Sequence, residues 1–358
     1  LAMAFVLLGK YLYTLVIPHP LVSEIGYPQM TTTNWGNWRA IVAVLLFVGM
    51  GSFALWHARR KSFIAFGILF FLITFSIYSN VLILIGSSYG ERFLYVASLG
   101  YCIALVALLQ QAFPGAQPEE RPQNLQVLFQ QNTLFVGLVS MIVLAYSAKT
   151  ITRNGDWYDS YALYSADIIK VPNSAKLNYH LGLEEVKQGL ELTNDEQQKR
   201  DWLDKGLVHF QKAIELYPPY GDAHAQVGLS LFRRGYGDEA LKSYQTALQY
   251  IPNDAKVYSN MGIIYFQKGN LQKAEEVYSK AVQLDPRYVD ARRNLGSVYA
   301  QTKRFDQAIA QFKAAITYEP DNAILYFYTG SAYRDKGSPQ EGQPYFEQAY
   351  RLDPSLRK

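Results

Sequence analysis

Five prolines near the C-terminal end of the chain are evenly spaced. Pro218, Pro252, Pro286, Pro320 and Pro354 follow one another at intervals of 34 residues. Glycine, alanine and aromatic residues recur with the same period, at Gly228, Gly262, Gly296 and Gly330, at Ala247, Ala281, Ala315 and Ala349, and at Tyr244, Tyr278, Phe312 and Phe346. A fixed period of this length predicts a solenoid of stacked units, because one such unit cannot bury its own apolar face.

The 34-residue period is typical of tetratricopeptide (TPR) repeats, in which each unit is a pair of antiparallel helices. We expect the repeating glycine where the two helices cross closely, and the proline where the second helix ends. A further repeat precedes Pro218, but Pro172 lies 46 residues before that proline, 12 more than the period. We place the excess in the polar residues 188–200. Before this repeat, residues 157–172 predict a single helix.

The composition changes at Asp156. No aspartate precedes this residue, 15 occur from it onward, and residues 1–150 contain only 12 charged side chains. A membrane-spanning helix needs about 20 mainly apolar residues. Residues 63–85 and 93–113 reach that length, residues 40–56 and 133–148 are slightly short, and residues 1–17 are a fifth candidate that contains Lys10. Lys10 could instead face a cavity or mark an interfacial helix.

Basic residues predict how the spans are oriented. The spans at residues 40–56 and 63–85 are joined by Arg59, Arg60 and Lys61, and a short basic connection favours the cytoplasmic side. Residues 18–38 and 86–92 then lie outside, and the last span delivers the repeats to the same side. We therefore expect an integral membrane protein, in the bacterial inner membrane or the endoplasmic reticulum, with its repeats on the periplasmic or lumenal side.

The predicted fold is all-α, a polytopic transmembrane helical bundle followed by a TPR α-solenoid. We assign residues 1–150 to the C-terminal part of a membrane domain with about five helices, residues 151–174 to a linker helix, and residues 175–358 to about five repeats.

The net charge of +4 comes entirely from residues 1–150, so the repeat half is neutral. A neutral solenoid without a basic stripe argues against a nucleic-acid partner. We find no metal cluster, phosphate loop or cofactor motif.

Three segments carry a more specific pattern. They are residues 11–21 (YLYTLVIPHPL), residues 90–102 (GERFLYVASLGYC) and residues 153–157 (RNGDW). Together they resemble the C-terminal membrane region, and its junction with the first repeat, of the transmembrane and TPR-containing O-mannosyltransferase-like family and its bacterial relatives. The resemblance covers nearly the whole chain in order.

The resemblance implies a multi-span glycosyltransferase of the GT-C class. Such enzymes take a sugar from a polyprenyl-phosphate carrier in the membrane and pass it to an acceptor on the outer face. Their catalytic carboxylate usually lies in the first outer loop, near the N-terminus. We therefore expect this chain to be the C-terminal part of a longer protein, with the base upstream of Leu1, and we leave the catalytic residues unknown.

Four residues are candidates for binding the donor phosphate, namely Arg92, Glu91, His19 and Arg39. Arginine suits a phosphate because its guanidinium is a rigid fork of donors with a permanent charge. The alternatives are an internal Glu91–Arg92 pair, a rigid loop at His19 between Pro18 and Pro20, and an interfacial anchor at Arg39.

In the repeats, Asn260 and Asn294 occupy equivalent positions on successive first helices. Amides at such spacing can hydrogen-bond an extended peptide without reading its sequence. The series is broken because Gln226 and Tyr328 hold the flanking positions, and ordinary repeat consensus is the competing interpretation. Three aromatic residues complete the predicted groove: Phe232, Phe266 and Phe327.

The leading functional hypothesis is a membrane glycosyltransferase that uses a polyprenyl-phosphate-linked sugar, with a protein or peptide acceptor in the TPR groove. One alternative is a non-enzymatic, membrane-anchored scaffold for assembling a protein complex. A second is a lipid-linked polysaccharide ligase or polymerase with a TPR tail.

Overall fold

The structure, a computed structural model, describes residues 1–25, 33–79, 81, 89–113, 133–191 and 195–357. Within these ranges the regular elements are helices, accompanied by one isolated antiparallel bridge between Ile25 and Tyr89. The predicted all-α class is confirmed. The chain divides into two compact units, Leu1–Tyr217 (unit 1) and Pro218–Lys358 (unit 2).

Unit 1 contains eight α-helices in its described part. They are α1 Ala2–Val16, α2 Trp38–Ala58, α3 Phe63–Ser76, α4 Ala97–Ala112, α5 Thr133–Asp156, α6 Ser160–Lys170, α7 Ala175–Glu191 and α8 Glu196–Leu216. A short 3-10 turn, Glu91–Leu94, precedes α4.

Two of these helices, α2 and α5, are long and apolar enough to cross a membrane. A core helix of a water-soluble protein can have the same composition, but its side chains are mostly buried. Here only 17% of the apolar window of α2 and 6% of that of α5 are buried. Leucines at Leu45, Leu55 and Leu144 are about two-thirds exposed, at 66%, 67% and 69%. Continuous apolar exposure of this kind fits hydrocarbon and not water.

The predicted lengths of two other spans are wrong. The prediction gave residues 63–85 and 93–113 full length, but α3 has 14 residues and α4 has 16. α3 ends at Ser76, whose hydroxyl donates to the Ile73 carbonyl, and the hydroxyl of Ser79 just beyond it donates to the Ser76 carbonyl. Phe93 and Leu94 belong to the 3-10 turn before α4. Residues 82–85 lie outside the described ranges. An apolar run therefore overestimates the helix when turns interrupt it.

Glycines let α3 and α4 pack backbone to backbone. A Cβ atom on Gly67 would lie 2.6 Å from the Gly100 carbonyl oxygen, and one on Gly100 would lie 2.6 Å from the Phe71 nitrogen. Small residues are the usual means by which helices approach closely in membranes. Short as they are, α3 and α4 thus form a tight pair.

The first helix, α1, runs in the same direction as α2. Gly9 packs against Ala43, with a Cβ on Gly9 lying 3.4 Å from the Ala43 Cβ, and the Phe5 and Trp35 rings lie 5.9 Å apart. The Tyr146 hydroxyl donates to the carbonyl of Leu15, one of the last in α1, over 2.6 Å. Tyr146 lies ten residues before the end of α5, or about 15 Å along it. α1 therefore ends against the middle of α5, where protein supplies the hydrogen bond that water cannot.

Unit 2 consists of four helix pairs in its described part. They are α9 Gly221–Arg233 with α10 Gly237–Tyr250, α11 Ala255–Gln267 with α12 Leu271–Leu284, α13 Val289–Gln301 with α14 Phe305–Ile316, and α15 Ala323–Asp335 with α16 Pro339–Leu352. Successive helix pairs follow one another at the 34-residue spacing of the prolines.

The crossing within each pair follows the prediction. A Cβ on Gly262 would lie 2.5 Å from the Tyr278 ring, and one on Gly296 would lie 2.5 Å from the Phe312 ring. Both rings are at most 2% exposed. Because each glycine has no side chain, the aromatic ring of the second helix can occupy the space beside it.

The repeat with extra residues is built as longer helices. α7 has 17 residues and α8 has 21, whereas α9 and α10 have 13 and 14. Gly189 near the end of α7 packs against Trp202 in α8, since a Cβ there would lie 2.9 Å from the Trp202 Cβ. The excess therefore extends the helix pair itself.

Candidate functional site

Two loops of unit 1 lie side by side next to α1. The Ile25 nitrogen donates to the Tyr89 carbonyl over 3.0 Å, and the Glu91 nitrogen donates to the Val22 carbonyl over 3.1 Å. The hydroxyl of Tyr11 in α1 accepts from the Gly90 nitrogen over 3.0 Å. These bonds fix the backbone immediately before Arg92.

A buried arginine ties this loop to the end of α5 and to α6. The Arg153 side chain is 7% exposed, and its guanidinium contacts Glu91 at 2.6 Å, Asp156 at 2.8 Å and Asp167 at 2.8 Å. The Asp167 side chain is fully buried and also accepts from the Ser23 nitrogen over 2.6 Å. The three carboxylates come from separate segments, and only the fold brings them around one guanidinium. The sequence analysis used Arg153 only as part of the segment 153–157 and missed this cluster.

A cavity of about 310 Å³ opens beside the cluster, and we call it the Arg92 cavity. Its walls come from the two loops and from the start of α6, and they include Ser23, Glu24, Arg92, Trp157, Asp159 and Tyr164. It therefore lies where the last membrane-spanning helix passes into the first helix of the repeat-bearing part of unit 1.

The Arg92 guanidinium is the cavity's available cation. Arg92 is exposed, lies with its guanidinium carbon 5.1 Å from the Phe93 ring centroid, and forms no ion pair with a described residue. The two nearby carboxylates are engaged elsewhere. Glu24 accepts from Lys176 over 2.6 Å, and Asp159 caps α6 by accepting from the Ala162 nitrogen over 2.7 Å.

Two neutral donors complete the wall. The Ser23 hydroxyl is buried and has no hydrogen-bond partner among the described residues. Burial raises the pKa of the Tyr164 phenol, which therefore keeps its proton at neutral pH. An unsatisfied buried hydroxyl beside a free guanidinium is an arrangement that an anionic oxygen atom would satisfy.

The four predicted phosphate-binding residues are not brought to one place. Arg92 lines the cavity, while Glu91 lies behind it and pairs with Arg153, not with Arg92. His19 is exposed and does not line the cavity. Arg39 lines a different groove, with its guanidinium carbon 5.6 Å from the Trp38 ring centroid.

The two predicted groove amides lie beside buried tyrosine side chains of the solenoid. Asn294 lies near the hydroxyl of Tyr278 in the preceding repeat, and Asn260 lies near that of Tyr244, which has no hydrogen-bond partner among the described residues. Both asparagines are half-buried. Their equivalent positions therefore reflect a contact between neighbouring repeats, which is a role that the sequence analysis did not consider.

This contact accounts for the broken series. Where the ring position holds Tyr244 or Tyr278, the next repeat supplies asparagine. Phe312 has no hydroxyl to satisfy, and Tyr328 replaces asparagine in the next repeat, with its ring centroid 5.6 Å from that of Phe312.

The three predicted groove aromatics are also partly used in packing. Phe232 and Phe266 are half-buried and lie against the cores of their helix pairs. Phe327 packs edge-on against Phe346 with ring centroids 5.6 Å apart. Acceptor binding by these side chains stays a prediction.

Two family profiles match the repeats of unit 2. A family profile described as "TPR repeat" matches residues 228–269 and 262–303, and one described as "Tetratricopeptide repeat" matches residues 293–356. Among solved structures, a crystal structure of MamA is 23% identical, covers 46% of this chain and 95% of its own, and has a TM-score of 0.42. That of YrrB is 18% identical, covers 53% and 92%, and has a TM-score of 0.44.

The curated relatives are named after an enzyme activity and not after the repeats. Protein O-mannosyl-transferase F38B6.6 of Caenorhabditis elegans is 28% identical over 173 residues, covering 48% of this chain and 22% of the relative. Protein O-mannosyl-transferase TMTC1 of Mus musculus is 25% identical over 211 residues, covering 57% and 20%. Protein O-mannosyl-transferase TMTC3 of Mus musculus is 29% identical over 152 residues, covering 42% and 14%. The chain thus spans about a fifth or less of the length of these relatives, and over that part it is similar to proteins named protein O-mannosyl-transferase.

Proposed function

We propose that this chain belongs to a membrane glycosyltransferase that passes a sugar from a polyprenyl-phosphate carrier to a protein acceptor. The names of the relatives suggest mannose as the sugar. The observation that carries the proposal is the Arg92 cavity, in which a guanidinium without a carboxylate partner lies at the end of a membrane-spanning helix. No catalytic base is assigned within this chain.

The cavity suits the phosphate of a sugar carrier for three reasons. Arg92 offers parallel donors and a permanent positive charge, which match phosphate oxygens better than an ammonium does. The Ser23 hydroxyl and the Tyr164 phenol add neutral donors. The carboxylates of Glu24 and Asp159 can accept from sugar hydroxyls while keeping their own partners.

The repeats supply the acceptor side of the proposal. TPR solenoids are quasi-one-dimensional stacks with extended binding surfaces, and protein binding is the role expected of such surfaces. Holding an acceptor close to the donor raises its effective concentration at the membrane surface. The repeat architecture supports this role, whereas most of the five predicted groove residues contact neighbouring side chains of the solenoid.

Replacing Arg92 with glutamine should lower transfer by about tenfold to a hundredfold, the effect of losing one or two hydrogen bonds to a charged group. The assay uses membranes from cells expressing the full open reading frame, supplied with polyprenyl-phosphate mannose carrying a tritium label, and counts label bound to protein. Arg92→Lys should recover only part of the activity, because an ammonium cannot bind bidentately.

Arg60→Gln is the matched control, since it removes the same charge from an exposed position in the connection between α2 and α3. It should leave transfer unchanged. Full transfer by Arg92→Gln would remove this cavity from the donor site. Absence of transfer in the wild type, combined with capture of a protein complex, would favour the scaffold alternative.

The repeats are expected on the periplasmic or lumenal side, because the basic connection at Arg59, Arg60 and Lys61 favours the cytoplasm. A reporter that is active only outside the cytoplasm, fused after Lys358, should give a signal. The same reporter inserted after Lys61 should be silent. The reverse pattern would contradict both the orientation and the access of the repeats to an outer-face acceptor.

A further inference from the structure

Trp157 lies in the turn between α5 and α6, and its side chain lines the Arg92 cavity. In the function proposed above Arg92 meets the phosphate of the donor, whereas this aromatic wall has no role. The residue is 42% exposed although the helices on both sides fix its place in the chain. A large aromatic surface is thus open to whatever occupies the cavity.

The indole is held in one position by the loop that carries Arg92. Its Nε1 donates to the Glu91 Oε1 atom over 3.0 Å, and the same oxygen atom contacts the Arg153 Nε at 2.6 Å. The Arg153 guanidinium carbon lies 5.7 Å from the Trp157 ring centroid. Because Glu91 directly precedes Arg92, one carboxylate links the position of the indole to that of the Arg92 guanidinium.

A tryptophan near the end of a membrane-spanning helix is often an interfacial anchor, with its N–H group directed to the wet side of the interface. Trp157 has a different arrangement, because its N–H group is taken by the largely buried carboxylate of Glu91. The next residue, Tyr158, is 88% exposed and does not line the cavity, so it is better placed to act as an anchor. The Trp157 ring is available to a ligand instead.

Hydrogen-bonding groups surround the same cavity. Glu24, Asp159 and Ser160 line it together with the indole. The Asp159 Oδ1 atom accepts from the Ala162 nitrogen over 2.7 Å, and a carboxylate in such a bond can accept further hydrogen bonds. The cavity therefore combines an aromatic wall with polar groups, an arrangement that suits a ligand with a flat apolar face and hydroxyls at its edge.

A pyranose sugar has this distribution of groups. The C–H groups on one face of its ring form an apolar patch, and packing that patch on an indole removes apolar area of both from water. The hydroxyls at the edge of the ring can donate to the carboxylates. At about 310 Å³, the cavity is at the small end of the range for ligand sites, which fits one sugar ring beside a phosphate.

We propose that the sugar of the lipid-linked donor packs against the Trp157 indole while its phosphate lies at Arg92. The sugar hydroxyls then face Glu24 and Asp159. This role rests on the proposed function, and it makes recognition of the sugar separable from recognition of the phosphate. Glu91 is a positioning residue in this arrangement, since it holds the indole and directly precedes the arginine.

The test compares two lipids on the protein purified from the full open reading frame in an uncharged detergent. One lipid is a polyprenyl phosphate that carries mannose, and the other is the same polyprenyl phosphate without a sugar. Native mass spectrometry gives the dissociation constant of each. Trp157→Leu should weaken the mannose-bearing lipid by about fivefold to tenfold, because one face of the sugar loses its aromatic contact, and change the sugar-free lipid by less than about twofold.

Trp157→Phe keeps an aromatic ring but cannot donate to Glu91. It should therefore retain more affinity for the mannose-bearing lipid than Trp157→Leu does. Trp56→Leu is the matched control, because it removes a tryptophan that is 72% exposed near the end of α2 and does not line the cavity. It should bind both lipids as the wild type does. Normal binding of the sugar-free lipid by Trp157→Leu would also show that this variant is folded.

Wild-type affinity of Trp157→Leu for the mannose-bearing lipid would overturn the proposal. An equal loss for both lipids at an unchanged thermal midpoint would do the same, and so would equal losses in the leucine and phenylalanine variants. Arg92→Gln distinguishes this result from the proposed function. If it weakens both lipids while Trp157→Leu weakens neither, the phosphate site stands and the sugar contact fails. If Arg92→Gln binds both lipids normally, the donor site itself fails.

Discussion

Arg153→Leu is expected to lower the free energy of unfolding of unit 1 by about 3–5 kcal/mol, the usual cost of removing one partner from a buried ion pair. The substitution leaves Glu91 and Asp167 as carboxylates that are 12% and 0% exposed in their side chains, without their guanidinium. Neither could recover full hydration, and Lys170 at 3.5 Å from Asp167 compensates for only one of them.

The measurement is the thermal unfolding of the detergent-solubilised chain, followed through loss of helical circular dichroism. Lys199→Leu serves as the control because its ion pair with Glu196 is largely exposed, with side-chain exposures of 34% and 73%. It should cost at most about 1 kcal/mol. If both variants unfold at the same temperature, the cluster around Arg153 does not stabilise the junction of α5 and α6.

Phe312→Ala is expected to destabilise unit 2 by about 3–5 kcal/mol, the range for removing a large buried aromatic side chain. Phe312 is 2% exposed and fills the space left by Gly296. Chemical denaturation of the chain should show the loss in the transition of the repeats. Tyr318→Ala, at a ring that is 44% exposed, should change the stability much less.

A second substitution separates the lost contact from general damage to the helix. Gly296→Ala alone should be destabilising, because its Cβ would lie 2.5 Å from the Phe312 ring. In the Phe312→Ala background the same methyl group enters an open cavity, and alanine also favours the helix by about 1 kcal/mol. We therefore expect the double variant to be more stable than Phe312→Ala. Additive losses in the double variant would contradict the close contact.

The repeats could be predicted from sequence because their contacts are local and periodic. Each ring meets its glycine within one helix pair, so a 34-residue period already specifies which residues touch. The Arg153 cluster could not be predicted in this way. Asp156 lies one helical turn from Arg153, but Glu91 and Asp167 lie in other segments, and nothing in their spacing indicates contact with that guanidinium.

Composition alone did not give the helix lengths or the surroundings of the groove residues. Hydropathy gave α3 and α4 more residues than they have, because an apolar run does not reveal the turn that ends a helix. In the repeats, peptide binding by Asn294 stays a prediction, and the sequence did not show that this amide also lies near the hydroxyl of Tyr278. Recognising that role requires comparing the asparagine with the ring position one repeat earlier.

The pairing of tyrosine with asparagine limits how the repeats could be rearranged. A unit with a tyrosine in its second helix is followed here by a unit with an asparagine near the hydroxyl, so the unit containing Tyr278 could be followed by a copy of the one containing Asn260 or Asn294 without losing that contact. Placed before the unit containing Tyr328, it would lose the amide next to its hydroxyl. Duplication or reordering of these units, whether in evolution or by design, would thus be constrained by a matching rule between neighbours, and the solenoid has a preferred order even though every unit has the same backbone.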